Sequence, residues 1–175
     1  MTKNSRQLEA TSFHEAGHAV ACLLTKRKFK FVTIRSDDES LGHLKHDKGF
    51  SLYLRKLDEE NSFYRPDELS KFLKVDFIRM AGLVSEKILL GKYNHIGARI
   101  DYKNWVDNSL KDLTKNLSIR YQKFLLDYTN EVLTTERNWS NIKAVATALI
   151  QNIKLTYAQV NQIIVDDNIK SLNKS

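Results

Sequence analysis

The sequence predicts a mainly α-helical fold with a small β-sheet or hairpin near residues 29–46. Apolar residues recur at spacings of three and four along most of the chain, as they do on one face of a helix. One short stretch is instead rich in β-branched and aromatic residues, which favour strands. With one proline and six glycines the chain shows no flexible linker, so we expect a single domain over residues 1–175.

The first helix is expected to run from about residue 4 or 5 to residue 24, and a strand is expected at residues 29–37. Residues 40–46 are a candidate for the neighbouring strand, which would complete a small sheet. The inward face of the first helix is expected to contain Leu8, Ala16, Ala19, Val20, Leu23 and Leu24.

The next helix is expected to begin at Pro66, since a first-turn residue needs no N–H, and to end at Gly91. A second apolar stripe begins near Asp101, and we expect its aromatic residues to lie in the core. A last helical pair covers residues 138–153 and, after the capping pattern Thr156 to Gln159, the residues that follow. The stripe consists of Trp105, Leu113, Leu117, Tyr121, Phe124, Tyr128 and Val132.

Composition narrows the classes of function. No stretch reaches the roughly 18 consecutive apolar residues of a membrane span, and the N-terminus lacks the apolar core of a signal peptide, so we expect a cytoplasmic protein. Cys22 is expected to be a small buried hydrophobe. The net charge is +7, but the basic segment at residues 25–30 suits a turn after a helix, and no nucleic-acid motif accompanies it. We therefore expect no nucleic-acid partner.

The stretch "SFHEAGHAVACLL", residues 12–24, contains the pattern H-E-x-x-H at His14, Glu15 and His18. Residues four apart lie on one face of a helix, so both imidazoles can point at one metal ion. Neutral imidazoles suit Zn²⁺, and the glutamate can act as general base when water attacks a carbonyl. This pattern is typical of zinc hydrolases. A structural alternative is a capping box between Ser12 and Glu15, which requires the helix to begin at Ser12.

A catalytic zinc site needs a third protein ligand and one open position. The metzincin spacing would require a histidine at position 24, which is Leu24. Spacing alone does not choose among the remaining candidates. These are His43, His46, His95, Glu86 and Asp101.

Five segments carry a resemblance to a known family. In chain order they are "FHEAGHAV", "VTIRSDDESLGH", "MAGLVSEKILLG", "GARIDYKNW" and "NWSNIKAVATALIQNIKLTYAQVNQII". Together they resemble the peptidase domain of the FtsH family of ATP-dependent zinc metalloproteases, over nearly the whole chain. The first is similar to that family's zinc helix, the third to its G-G-R-x-A-E-E-x-x-F-G helix and the fourth to its G-A-S-N-D-L segment.

The resemblance implies His14, His18 and Asp101 as ligands of Zn²⁺ and Glu15 as the catalytic base. Without it, Asp101 would be interpreted as a helix N-cap. Glu86 falls on the family's glutamate-bearing helix and is either a partner that orients a ligand histidine or an ordinary salt-bridged residue. The resemblance also implies that substrate lies as an extended peptide along the strand at residues 41–44.

The chain also departs from the family. It contains no G-x-x-x-x-G-K-[ST] pattern, so we expect neither an ATPase of its own nor the membrane anchor that accompanies one in the family. The resemblance therefore predicts a zinc endopeptidase for flexible or unfolded polypeptides, to which a separate ATPase chain could deliver substrate. The alternative is a non-catalytic binding or regulatory domain that keeps the fold. The oligomeric state stays undetermined.

Overall fold

The computed structural model describes residues 3–35, 42–46, 66–92, 102–103 and 114–173. Its fold is mainly helical with one small antiparallel sheet, which confirms the predicted fold class. The long helices are α1 Lys3–Leu24, α2 Pro66–Leu90, α3 Lys115–Thr134, α4 Glu136–Asn152 and α5 Tyr157–Leu172, and the strands are β1 Phe29–Thr33, β2 His43–His46 and β3 Lys154–Thr156.

The sheet has the strand order β2-β1-β3, and both pairings are antiparallel. Val32 at its centre lies opposite Leu44 on one side and Leu155 on the other. The predicted strand and its neighbour are confirmed, although β1 ends at Thr33, four residues earlier than expected. β3 was not predicted, because three residues between two helices are too few to show alternation.

Helix α1 lies between α2 and α4, and its small residues allow both neighbours to approach closely. Ala16, Ala19 and Val20 are buried as expected, and the ring of Phe13 packs on Trp139 of α4 with centroids 5.5 Å apart. Leu8 and Leu24 were expected to face inward but are exposed. Both lie near an end of α1, where the neighbouring helices no longer cover the apolar stripe.

Helix α3 buries only part of the face that its aromatic residues predict. The buried residues of α3 are Leu125, Thr129 and Leu133. Phe124 and Tyr128, expected in the core, are 51% and 46% exposed, and their rings stack on each other. The prediction was wrong for these two residues, because apolar residues occur on two faces of α3. Tyr121 and Val132 of the same stripe do pack against the core. Trp105 and Leu113 lie outside the described residues.

The predicted end of α2 and the predicted start of α5 are confirmed, whereas α4 runs over Glu136–Asn152 where residues 138–153 were expected. Gly91 follows α2 with a φ of 71°, a conformation that glycine adopts without strain. Thr156 and Gln159 form a complete capping box at the start of α5, in which each side chain bonds the backbone N–H of the other. Among the described residues, none of the helices combines the length and the hydropathy that crossing a membrane requires.

Candidate metal centre

The two histidines of the H-E-x-x-H pattern meet at the interface between α1 and α2. The Nε2 atoms of His14 and His18 lie 3.1 Å apart. Their rings are nearly perpendicular, with centroids separated by 4.8 Å. One turn of helix separates the two residues, which places both imidazoles on the same face of α1. The structure thus brings together these two predicted ligands.

Helix α2 holds the opposite nitrogen of each ring. The Nδ1–H of His18 donates to the carbonyl oxygen of Ile78 at 2.7 Å. The Nδ1 of His14 lies 3.3 Å from Oε2 of Glu86, a side chain only 2% exposed. Metal-binding histidines commonly have a carbonyl or a carboxylate on the ring nitrogen that does not face the metal. Glu86, one of the candidate third ligands, therefore occupies the position of an orienting partner.

These hydrogen bonds determine where the imidazoles carry their protons. A carbonyl oxygen only accepts, so His18 keeps its hydrogen on Nδ1, and its Nε2 is the nitrogen that carries the lone pair when the ring is neutral. An ionised Glu86 imposes the same tautomer on His14. Two lone pairs then face each other across 3.1 Å, which is repulsive. A cation near both nitrogens, either a metal ion or a shared proton, removes the repulsion.

The separation and the surroundings of the two nitrogens fit zinc. Two nitrogens bound at about 2.0 to 2.1 Å in tetrahedral geometry lie about 3.3 Å apart, and the observed separation is 3.1 Å. Gly82 of α2 leaves space beside them. A β-carbon there would collide with Nε2 of His18 and lie 2.7 Å from Nε2 of His14. The fold therefore keeps side-chain atoms of α2 away from the place where a metal ion would bind.

A second glycine explains how α2 comes so close to α1. A β-carbon on Gly17 would collide with Oγ of Ser85 and lie 2.5 Å from the carbonyl oxygen of Ala81. Because Gly17 has no side chain, the backbone of α2 packs directly on α1 between the two histidines. The close approach brings the Ile78 carbonyl and the Glu86 carboxylate within reach of the rings.

Glu15 follows His14 on α1 and lies beside the residue that precedes β2. It is buried, at 4% exposure, and Gly42 packs against it: a β-carbon on Gly42 would lie 3.1 Å from Cγ of Glu15. The capping-box alternative is excluded, because α1 begins at Lys3 and Ser12 lies in mid-helix, where its hydroxyl donates to the Leu8 carbonyl. Glu15 thus marks the place on α1 where Gly42, the residue that precedes β2, packs against the helix.

The remaining third-ligand candidates are in different parts of the chain. Asp101 and His95 lie outside the described residues. His43 and His46 lie on β2, and the ring of His43 packs edge-on against Phe31 with centroids 5.7 Å apart. Within the residues that the structure describes, no group of three or more His, Cys, Asp or Glu side chains is arranged to hold a metal ion. The described residues include two of the predicted ligands, His14 and His18, and Asp101 stays the predicted third.

Two other buried groups serve the structure. Asp76 of α2 accepts a hydrogen bond of 2.8 Å from the hydroxyl of Tyr121, and Arg79 lies 3.4 Å away. Burial, and then the charge of Asp76, raises the pKa of the Tyr121 hydroxyl well above its usual value, so it remains a donor. Burial also raises the pKa of the Cys22 thiol to about 12, which agrees with its expected role as a hydrophobe.

Sequence reasoning missed Ile78 and Gly82 as parts of this site. Ile78 acts through its backbone carbonyl, which no residue type reveals. Gly82 could have been identified from the sequence, because a glycine inside an apolar helical pattern often marks a close packing contact.

Comparison with models of known protein families and with curated proteins gave no match. The function is therefore inferred from the site itself.

Proposed function

We propose that this protein is a zinc-dependent metallopeptidase in which His14, His18 and Asp101 hold the metal and Glu15 is the general base. The observation that supports this most strongly is the pair of Nε2 atoms 3.1 Å apart, each on a ring whose Nδ1 has a partner on α2. That arrangement leaves the Nε2 atoms of both rings close enough to bind one metal ion. Asp101 enters the proposal through the family resemblance.

His14, His18 and Asp101 would hold the Zn²⁺ ion, which would lower the pKa of a water molecule toward about 7 and polarise the carbonyl of the bond to be broken. Glu15 then accepts a proton from the attacking water on a carboxylate oxygen and returns it to the amine nitrogen of the leaving group. Burial of Glu15 strengthens its electrostatic interactions, because the effective dielectric is lower than in water. Glu86 keeps the His14 ring in its orientation throughout.

The same proposal assigns substrate to the free side of β2. This strand pairs with β1 on one side, and no strand described by the structure pairs with its other side. An extended peptide added there would gain main-chain hydrogen bonds. It would also pass close to Glu15, because Gly42 precedes β2 directly and lies beside Glu15. Only flexible or unfolded polypeptides present an extended main chain. Folded substrates would need a separate ATPase chain to unfold them.

The decisive experiment compares Glu15→Gln with the wild type. Elemental analysis of protein purified without added zinc or chelator should give about one zinc per chain for both, because Glu15 is not a ligand. Cleavage of an unfolded protein should fall by about 10²- to 10⁴-fold in Glu15→Gln, the usual contribution of a general base. Glu9→Gln makes the same change elsewhere on α1 and should leave cleavage unchanged. Asp101→Ala should lose or loosen zinc.

Each other result has a definite meaning. Folded wild-type protein that takes up no zinc would refute the proposal and leave a shared proton between His14 and His18. Zinc-bound wild type that is as inactive as Glu15→Gln would favour the non-catalytic binding domain. Equal activity of the two zinc-bound proteins would remove Glu15 from the mechanism.

Gly42→Pro tests the substrate strand. Proline has no backbone N–H, so a peptide could not pair with the chain at this position. We expect cleavage to be abolished while zinc stays bound. Gly42→Ala keeps the N–H but adds a β-carbon 2.9 Å from the Thr33 carbonyl oxygen, and so measures crowding alone. Undiminished cleavage by Gly42→Pro would refute strand addition.

A further inference from the structure

Strand β2, whose outer edge pairs with no described strand, carries an exposed lysine. Leu44 packs against the core, so its neighbours His43 and Lys45 project to the opposite, outer face of the sheet. Lys45 is exposed, whereas His43 is half-buried against Phe31 of β1. None of the ion pairs within the described residues involves Lys45. Its ammonium group is therefore available to a molecule that binds beside β2.

Two further cations lie on the neighbouring strands. Lys30 of β1 is exposed at the bulge between Phe29 and Phe31. Lys154 of β3 lies over the ring of Phe31, with its Nζ 3.7 Å from the ring centroid. Lys154 pairs with Thr33, which lies opposite His43, so its backbone is two strands across and two residues along from that of Lys45. A peptide added to β2 would lie next to Lys45 and three strands away from Lys154. Of these three lysines, Lys45 alone lies on the strand that the peptide would pair with.

We infer that the free side of β2 selects extended peptides with an acidic side chain opposite Lys45. The inference rests on the proposed function for the position of the peptide. In a sheet, directly opposite residues project to the same face, with β-carbons about 4.5 to 5.5 Å apart. Opposite charges at such positions attract and like charges repel. A glutamate or aspartate of the peptide at that position meets the ammonium of Lys45, whereas a lysine is repelled.

The distance along the strand places this preference relative to the cleaved bond. Gly42 adjoins Glu15, and Lys45 follows three residues later. At about 3.3 Å per residue, Lys45 is about 10 Å along the strand from the base. The selected side chain therefore lies about three residues from the scissile bond. The direction of the bound strand decides whether that residue precedes or follows the bond.

Three matched peptides test the inference. A bond that the wild type cleaves in an unfolded protein is first located by mass spectrometry, and peptides around it carry Glu, Gln or Lys three residues before or after the bond. We expect kcat/KM for the Glu peptide to exceed that for the Lys peptide by about three- to tenfold on one side of the bond. The ratio should approach one in 1 M salt, where the Debye length is about 3 Å.

Two charge reversals on the same face give the control. Lys45→Glu should invert the preference, so that the Lys peptide becomes the better substrate. Lys154→Glu makes the same change of net charge two strands away and should leave the preference intact. Lysine on an edge strand also discourages aggregation between sheets. If that is the only role of Lys45, the three peptides will be cleaved equally, and the inference is overturned.

Binding separates this inference from the proposed function. Zinc-bound Glu15→Gln is titrated with the same fluorescent peptides, and fluorescence anisotropy reports affinity without cleavage. Tighter binding of the Glu peptide, inverted by Lys45→Glu, would support selection by the strand even if the wild type cleaves nothing. Equal affinities, or an inversion produced equally by Lys154→Glu, would overturn it, because the effect would then be absent or would follow net charge alone.

Discussion

The α1–α2 interface and the outer face of α3 show opposite relations between residue size and burial. At the interface, Gly17 and Gly82 let two helices approach until polar groups of one contact the imidazoles of the other. On α3, the large rings of Phe124 and Tyr128 stack on each other while half exposed. In this molecule two glycines lie at the buried site, whereas two of the largest side chains on α3 lie at the surface.

Gly82→Ala should give the largest effect, because it changes the centre of the tight interface. The β-carbon would occupy space beside both Nε2 atoms, so we expect zinc to be lost from the purified protein. Crowding should also cost about 1 to 3 kcal/mol of stability. Elemental analysis and thermal unfolding followed by circular dichroism measure the two effects.

Gly91→Ala is the matched control for this substitution. It follows the same helix, and a β-carbon there would meet no atom within 4 Å. Its φ of 71° still costs alanine about 1 to 2 kcal/mol. The two variants should therefore lose comparable stability, while only Gly82→Ala loses zinc. Full zinc content in folded Gly82→Ala would contradict the assignment of the space beside Gly82 to a metal ion.

The next effect in size distinguishes the two faces of α3. Leu125 is fully buried and Phe124, its neighbour, is half exposed. Leu125→Ala should destabilise the protein by about 2 to 5 kcal/mol through loss of burial and the cavity left behind. Phe124→Ala should cost less than about 1 kcal/mol, although it removes the larger side chain. Urea unfolding of both variants measures the difference. If Phe124→Ala destabilised the protein more than Leu125→Ala, the face of α3 that carries Phe124 would be the buried one, as the aromatic stripe predicted.

Sequence reasoning predicted the features that depend on short stretches of sequence. The sequence signals for α1, the first strand pair and the Thr156 capping box all lie within short windows of the chain, and each is present in the structure. His14 and His18 share a face because they are four residues apart on α1, so their meeting was also predictable.

The rest of the site depends on tertiary packing. The carbonyl of Ile78 and the carboxylate of Glu86 reach the histidines from 60 and 72 residues away in sequence. No local pattern states that α2 lies on that face of α1. Likewise, helical spacing shows that α3 has apolar stripes, but which of them is buried depends on the helix that packs against it. The partners of the two histidines and the buried face of α3 therefore both depend on packing between segments that are distant in sequence.

Glu86→Ala should give the smallest of these effects and the most specific one. Removal of the carboxylate leaves His14 free to rotate and less basic, and loss of such a partner typically costs 10- to 100-fold in metal affinity. Competition with a chromophoric chelator measures the zinc dissociation constant. Glu86→Gln keeps an oxygen that accepts from Nδ1–H and should fall between Glu86→Ala and the wild type.

Asp76→Asn is the control for Glu86→Ala, because it removes another buried carboxylate from the same helix. Its carboxylate is also fully buried on α2, but it accepts from Tyr121 and does not face the histidines. The variant should lose about 1 to 3 kcal/mol of stability and keep its zinc affinity. If Asp76→Asn weakened zinc as much as Glu86→Ala, loosening of α2 as a whole would explain both. A difference between them instead assigns the effect to the hydrogen bond between Glu86 and His14.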